Sequence, residues 1–254
     1  FNVAIAMQAP LIITPGDPAG IGPEIALKAL MSDPVLRGKS VLMGQISHLR
    51  SVAKACEIDA HYKSWVPGAP LDSDAINLLE VTWPAPIEAG TPNALNAPLI
   101  IHAIEMATSL AYQGHVSGII TCPIAKASLY EAGFSYPGHT EFLGALSGDK
   151  TPIMMLANKQ LRVVPATIHI ALTEVSHAIT KEGLASLIAR VASALQTDFG
   201  IAAPKTAICG LNPHAGEQGK MGTEEQEIIA PAMASAQNSL GENAHISGPF
   251  AADS

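Results

Sequence analysis

Three short runs in this chain hold side chains that can do chemistry. They are Gly16-Asp17-Pro18-Ala19-Gly20-Ile21-Gly22-Pro23-Glu24; Gly138-His139-Thr140-Glu141; and a separated pair, His169 in Thr167-Ile168-His169-Ile170-Ala171-Leu172 with His214 in Leu211-Asn212-Pro213-His214-Ala215-Gly216-Glu217. A histidine just beyond a buried strand can hold a metal through one neutral ring nitrogen while a neighbour fixes the other, and two such loops can share one ion. On pattern alone, His169 and His214 read equally well as loop histidines bonded to backbone. Two imidazoles also fall one short of the three protein ligands usual in a catalytic zinc site. In the second run Thr140 is expected to cap a helix opening at Glu141, with His139 just outside it. The free amides, the hydroxyl and a ring N–H there suit a phosphate, and a plain Thr cap beside a solvent-facing His fits the same residues. The glycine-rich run lacks the Lys-Ser/Thr of a Walker loop and the Gly-x-Gly-x-x-Gly spacing of a dinucleotide fingerprint. It is either an anion-binding turn or a structural one whose glycines take positive φ. His48, His61, His102, His115, His177 and His245 sit in polar or helical contexts and receive no role.

The elements that must position these residues alternate along the chain. Leu11-Ile12-Ile13-Thr14 reads as a short buried strand; Pro23-Glu24 opens an apolar helix to about Met31, with Pro at a position where its missing N–H costs nothing. A second strand is expected over Ser40 to Met43, then an irregular Pro-rich stretch from Trp65 to Pro98. Asn96 is the expected cap of an amphipathic helix through Ala111, feeding a strand over Gly118-Ile119-Ile120-Thr121. Ile153 to Ala157 and Arg162 to Ile170 flank the polar Asn158-Lys159-Gln160 as a hairpin. A helix over Lys181 to Gln196 and a buried strand over Thr206 to Cys209 follow, with Thr173 and Thr223 as helix caps; Thr223-Glu224-Glu225-Gln226 reads as a capping box. Strands interleaved with helices imply an α/β fold with a largely parallel sheet. Gly133 to Gly138 is the expected domain crossing.

Composition narrows the class. With 254 residues, 48% apolar and 14% charged, the chain can bury one large or two modest cores. A net charge of −8 opposes nucleic-acid binding, which needs clustered cations to displace counterions. Cys56, Cys122 and Cys209 form no Cys-x-x-Cys and read as reduced core thiols. The apolar start Phe1 to Gln8 has no basic flank, and no apolar run of the roughly 18 residues needed to span a bilayer is evident. The expectation is a soluble cytoplasmic protein with no nucleic-acid or membrane partner.

Taken together, Ile13 to Glu24, Thr121-Cys122-Pro123-Ile124-Ala125-Lys126, Pro137-Gly138-His139-Thr140-Glu141-Phe142-Leu143 and Leu211 to Glu217 resemble the 4-hydroxythreonine-4-phosphate dehydrogenase family over nearly the whole chain. The resemblance implies an isocitrate/isopropylmalate-dehydrogenase-like fold of two α/β domains with a cleft between them, 10–135 and 136–254, the second carrying the metal histidines. It also implies a homodimer with its active site at the subunit interface, NAD or NADP, and a divalent metal (zinc, cobalt or magnesium). By position, His169 and His214 resemble two of the family's three metal histidines, and His139 and Thr140 its substrate-binding pair. Lys126 reads first as a surface lysine and second as a candidate for an active-site role, and Cys122 stands where a Gly or Ala is expected. Family members continue past Ser254. The third metal histidine, in a His-Asp-Gln-Gly motif, and further Lys, Asn and Arg ligands are expected there, as is the segment completing the first domain, leaving the metal site incomplete and apolar surface exposed in these residues. The implied chemistry is oxidation of a phosphorylated substrate. A sister dehydrogenase acting on 4-phospho-D-threonate, 4-phosphoerythronate or a dihydrodiol carboxylate is the near alternative. A non-catalytic metal- or anion-binding module is the alternative of another class.

Overall fold

The computed structural model describes residues 9–148 and 151–251. They form two compact units, the first through Pro152 and the second from Ile153.

The first unit is built on a five-stranded parallel sheet, β1 (Leu11–Thr14), β2 (Ser40–Gly44), β3 (Tyr62–Ser64), β4 (Ile76–Glu80) and β5 (Gly118–Thr121), in the order β3-β4-β2-β1-β5. Alternate side chains leave opposite faces of a strand, and the burial follows that rule. Ile13 and Leu42 pack with Leu27 and Leu30 of the Gly22–Ser32 helix and Leu49 and Ala53 of the Ile46–Ala55 helix. Ile12, Val41 and Met43 pack against Ala103, Ala107 and Leu110 of the Ala97–Tyr112 helix. Helices on both faces explain why β1 and β2 are continuously apolar instead of alternating. The Trp65–Pro98 stretch is less irregular than expected, because it contains β4.

A helical run over Ala94–Tyr112, mean hydropathy 1.2, is long and apolar enough to cross a bilayer, contrary to the expectation that none exists. Its buried Ile100, Ala103, Ile104 and Ala107 face the rest of this unit, and its other side carries His102 and Glu105 about half exposed, which marks it as a core helix. Asn96 does not cap it: its Oδ1 accepts the Ala85 N–H at 2.9 Å, and Asn93 accepts the Leu95 N–H in the preceding 3-10 turn. Where 135/136 was the expected division, the first unit runs further, because Phe142 packs with Trp83, Ile100 and Ile104.

In the second unit the Lys181–Thr197 helix is capped by Thr180, whose Oγ1 accepts the Gly183 N–H. It packs with the Ala230–Leu240 helix through Ile188, Met233 and Ala236. The expected hairpin exists but is short, β6 (Leu156–Ala157) against β7 (Arg162–Val163), turned by Asn158 accepting two amides. β8 (Lys205–Cys209) pairs in parallel with β9 (His245–Phe250). β8 is not the buried strand expected: its residues alternate between exposed and half-buried, so Cys209 is exposed; in the first unit Cys56, at the end of the Ile46–Ala55 helix, is half-buried, which leaves Cys122 as the core thiol. Thr223 caps nothing with its hydroxyl. It accepts the Gln226 and Glu227 amides through its carbonyl, where the chain enters a π-helical turn, Glu225–Ile229.

Leu27 is fully buried between helix and sheet. Leu27→Ala is expected to lower the unfolding free energy by about 2–5 kcal/mol through lost burial and the cavity left behind; denaturant titration with an unchanged m-value checks it.

Candidate functional site

The chain leaves β1 toward β2 on one side and returns through β5 on the other, so the carboxyl ends of β1 and β5 form a topological switch point, the place where open α/β sheets bind ligands. The glycine-rich run follows β1, and Cys122 to Ala125 follow β5. The two loops interlock. Asp17 N–H donates to the Pro123 carbonyl at 2.9 Å, and Gly16, at φ 65°, approaches so closely that a Cβ would stand 2.3 Å from that oxygen. Ala19 N–H donates to the buried Asp17 carboxylate at 2.9 Å, and Gly20 N–H to the Asp17 carbonyl at 3.1 Å. With these amides engaged inside the protein, the run acts as a structural clasp. Cys122 sits beneath it with its thiol pushed up to about 11 by burial, which removes it as a nucleophile at neutral pH.

From the end of β5 the chain enters the Lys126–Glu131 helix and turns into the His139–Leu146 helix. The helix begins at His139, two residues before Glu141, where it was expected to open. Gly138 is its extended N-cap, no side chain caps it, and Thr140 is already inside the first turn. The first-turn amides therefore keep no side-chain acceptor, as an anion-receiving helix end requires. Phe134, Tyr136 and Phe142 fix the approach to this end, with ring centroids 5.0–5.5 Å apart. His139 Nε2 is buried without a hydrogen-bond partner. Burial first, and then the Lys126 ammonium, hold the ring below its usual protonation range. Lys126 is exposed, as expected, yet its Nζ comes within 4.0 Å of where a Cβ on Gly138 would lie. The neutral imidazole, helix end and cation converge. In the sequence Lys126 is inconspicuous, because the turn between the two short helices is what brings it back to Gly138.

His169 and His214 both lie in the second unit and reach solvent. His169 stands well beyond the end of β7, with φ 58°, and Thr173 falls inside a 3-10 turn after Ala171 instead of capping a helix. His214 follows β8 and opens a 3-10 turn, its Nδ1 4.0 Å from Glu217 Oε1. As donor types, imidazole nitrogens suit a borderline ion such as zinc. Among the described residues no three His, Cys, Asp or Glu side chains gather to hold one, so these residues fit a metal as a partial ligand set. The carboxylate of Glu225, beneath the His214 loop, gave no signal in the sequence, where it looked like an ordinary acid in a first helical turn.

Because the folded-state pKa of His139 is depressed, the unfolded chain takes up the proton first. Stability is full above the unfolded value of about 6.5 and is lost as pH falls below it toward the folded value. His139→Gln is expected to flatten that acid limb in denaturant titrations, and Lys126→Gln to raise the His139 ring pKa followed by NMR; an unmoved ring would exclude Lys126 as a cause.

Comparison with known proteins gives consistent matches. The model of the family described as pyridoxal phosphate biosynthetic protein PdxA matches residues 32–254. A 4-hydroxythreonine-4-phosphate dehydrogenase of Caulobacter vibrioides is 43% identical over 250 residues, 96% of this chain and 74% of that protein. One from Paracoccus denitrificans is 42% identical over 249 residues, 96% and 73%. A crystal structure of the enzyme from Klebsiella pneumoniae superposes with a TM-score of 0.86 at 33% identity, covering 96% of this chain and 75% of that one.

Proposed function

The chain belongs to the PdxA family of pyridoxal phosphate biosynthetic proteins, and from that premise we propose how its residues serve the family's reaction. It is a dehydrogenase that oxidises 4-phosphohydroxy-L-threonine at the C3 carbinol to 2-amino-3-oxo-4-phosphooxybutanoate. The product is a β-keto acid and loses CO₂ to give 3-amino-2-oxopropyl phosphate.

The observation that carries the site is the unpartnered, buried Nε2 of His139 at an uncapped helix end beside Lys126. A neutral imidazole keeps one N–H to donate and one lone pair to accept. It therefore holds a substrate polar group without repelling the neighbouring ammonium. Thr140 in the first turn supplies a hydroxyl, and the open amides favour an anionic group of the substrate. His139 and Thr140 are thus the substrate-binding pair. His169 and His214 are the residues that would hold the divalent ion, and the Glu217 carboxylate, 4.0 Å from His214 Nδ1, adds negative charge beside that ring. When bound, a zinc, cobalt or magnesium ion supplies Lewis acidity at the substrate hydroxyl and NAD or NADP takes up the hydride.

A parallel sheet in the first unit and a second compact unit bearing the histidines support an isocitrate/isopropylmalate-dehydrogenase-like arrangement. We place the enzyme in the cytoplasm as a homodimer, with the active site at the subunit interface.

Reduced-nicotinamide formation with 4-phosphohydroxy-L-threonine, run beside 4-phospho-D-threonate with a chelator or added zinc, tests the reading. Turnover of the first, suppressed by chelation, is expected; preference for the second would move the chain to a sister activity. His139→Ala is expected to lower kcat/KM about 10–100-fold, the loss of a charge-assisted hydrogen bond of roughly 1.5–3 kcal/mol, and unaltered kinetics would remove His139 from the site.

A further inference from the structure

Glu225 is a carboxylate only 5% exposed, at the start of the π-helical turn, an irregularity that recurs at functional sites. Its Oε1 accepts the Leu211 N–H at 2.7 Å, while Oε2 is buried with no partner. The chain wraps this carboxylate with glycine where a side chain would collide. A Cβ on Gly210 would lie 3.0 Å from Oε1, and one on Gly216 would lie 2.6 Å from Oε2 and 2.9 Å from the Gly222 carbonyl. Between these contacts the backbone is strained. Ala215, Gly216, Glu217, Gln218 and Gly219 all have positive φ, from 41° to 90°. Non-glycine residues in that region cost on the order of 1 kcal/mol or more each, and such a run persists only where its surroundings over-determine it. Asn212 supplies part of that constraint: its Oδ1 accepts the amides of His214 at 3.0 Å and Gly216 at 3.3 Å, and its Nδ2 donates to the Met221 carbonyl at 2.9 Å. Glu225 adds an anchor at the start of the loop, through the Leu211 amide.

We propose that Glu225 is a positioning residue of the dehydrogenase: its buried carboxylate anchors Leu211 to Gly216 from beneath and so sets where the His214 ring stands. It touches neither substrate nor ion and acts through the backbone. The inference rests on the reading of His214 as a metal-holding residue. The alternative is a carboxylate that only satisfies the Leu211 amide, which would affect stability and nothing else.

The test is Zn²⁺ affinity of the full chain, measured by competition with a chromogenic chelator, beside unfolding temperature and hydrogen exchange at the Leu211 amide. Glu225→Ala is expected to weaken zinc binding about 10–100-fold, the usual effect of losing a residue that orients a ligand, and to deprotect Leu211. Glu225→Gln, which keeps an acceptor for that amide, should restore most of the affinity. If Glu225→Ala binds zinc like the unsubstituted chain while His214→Ala does not, Glu225 has no positioning role and the inference is overturned with His214 intact. If His214→Ala itself binds zinc normally, the reading of His214 fails and takes the inference with it. Should Glu225→Ala not fold, Gly216→Ala carries the test from the loop side. Its Cβ must push the loop off Oε2 and cost comparable affinity, and unchanged affinity would overturn the proposal.

Discussion

The contact between Gly16 and the Pro123 carbonyl is the constraint on which the first unit's site depends. It joins the loops after β1 and β5, two strands that neighbour each other in the sheet although most of the unit lies between them in sequence. An amide donated across the junction, a buried Asp17 that satisfies its own turn and a thiol packed under Gly22 leave this crossing few alternatives. Everything downstream inherits the placement: Pro123 leads within a few residues to Lys126, and the next helix begins at His139. The glycines that look like a ligand loop serve the site indirectly, by fixing where β5 ends.

The two units handle polar burial differently. In the first, the amides of Asp17, Ala19 and Gly20 at the junction are answered within the protein, and of the buried side-chain atoms left without a partner (Thr14 Oγ1, Ser40 Oγ, Tyr62 OH, Trp83 Nε1 and His139 Nε2) the histidine nitrogen stands at an open helix end. In the second, the left-handed run after His214 lies beside a buried acid that accepts the Leu211 amide and leaves its other oxygen unanswered. Unsatisfied buried groups are expensive, and at these two residues the unanswered atom coincides with a second feature, an uncapped helix end at His139 and a run of positive φ beside Glu225.

Much of the first unit was legible because its strands and helices obey simple periods. β1, β2 and β5 are short apolar runs closed by turn residues, and the helix after Pro23 declares itself by proline and glutamate at its start. Where the structure departs from its sequence pattern, the departure is mostly in capping. Asn96, Thr140, Thr173 and Thr223 each looked like a cap, yet the chain started its turns elsewhere, and Asn96 bonded a distant amide instead. Local propensity names residues able to cap; tertiary contacts decide which of them do. The histidines at 139, 169 and 214 stood out in the sequence by type and setting. The roles of Lys126 and Glu225 did not, since one depends on the meeting of two short helices and the other on a loop folding back over its own strand's end.

The strand order carries a consequence for how the chain acquires its structure. β1 meets β2 after a short excursion, but its other edge stays open until β5, roughly a hundred residues later, arrives to pair with it. Closing so long a loop costs entropy before any contact repays it, and parallel pairings of high sequence separation form slowly. During synthesis the most apolar strand of the sheet thus leaves the ribosome with one hydrogen-bonding edge vacant, and it remains open to wrong partners until the Ala97–Tyr112 helix has folded back and delivered β5.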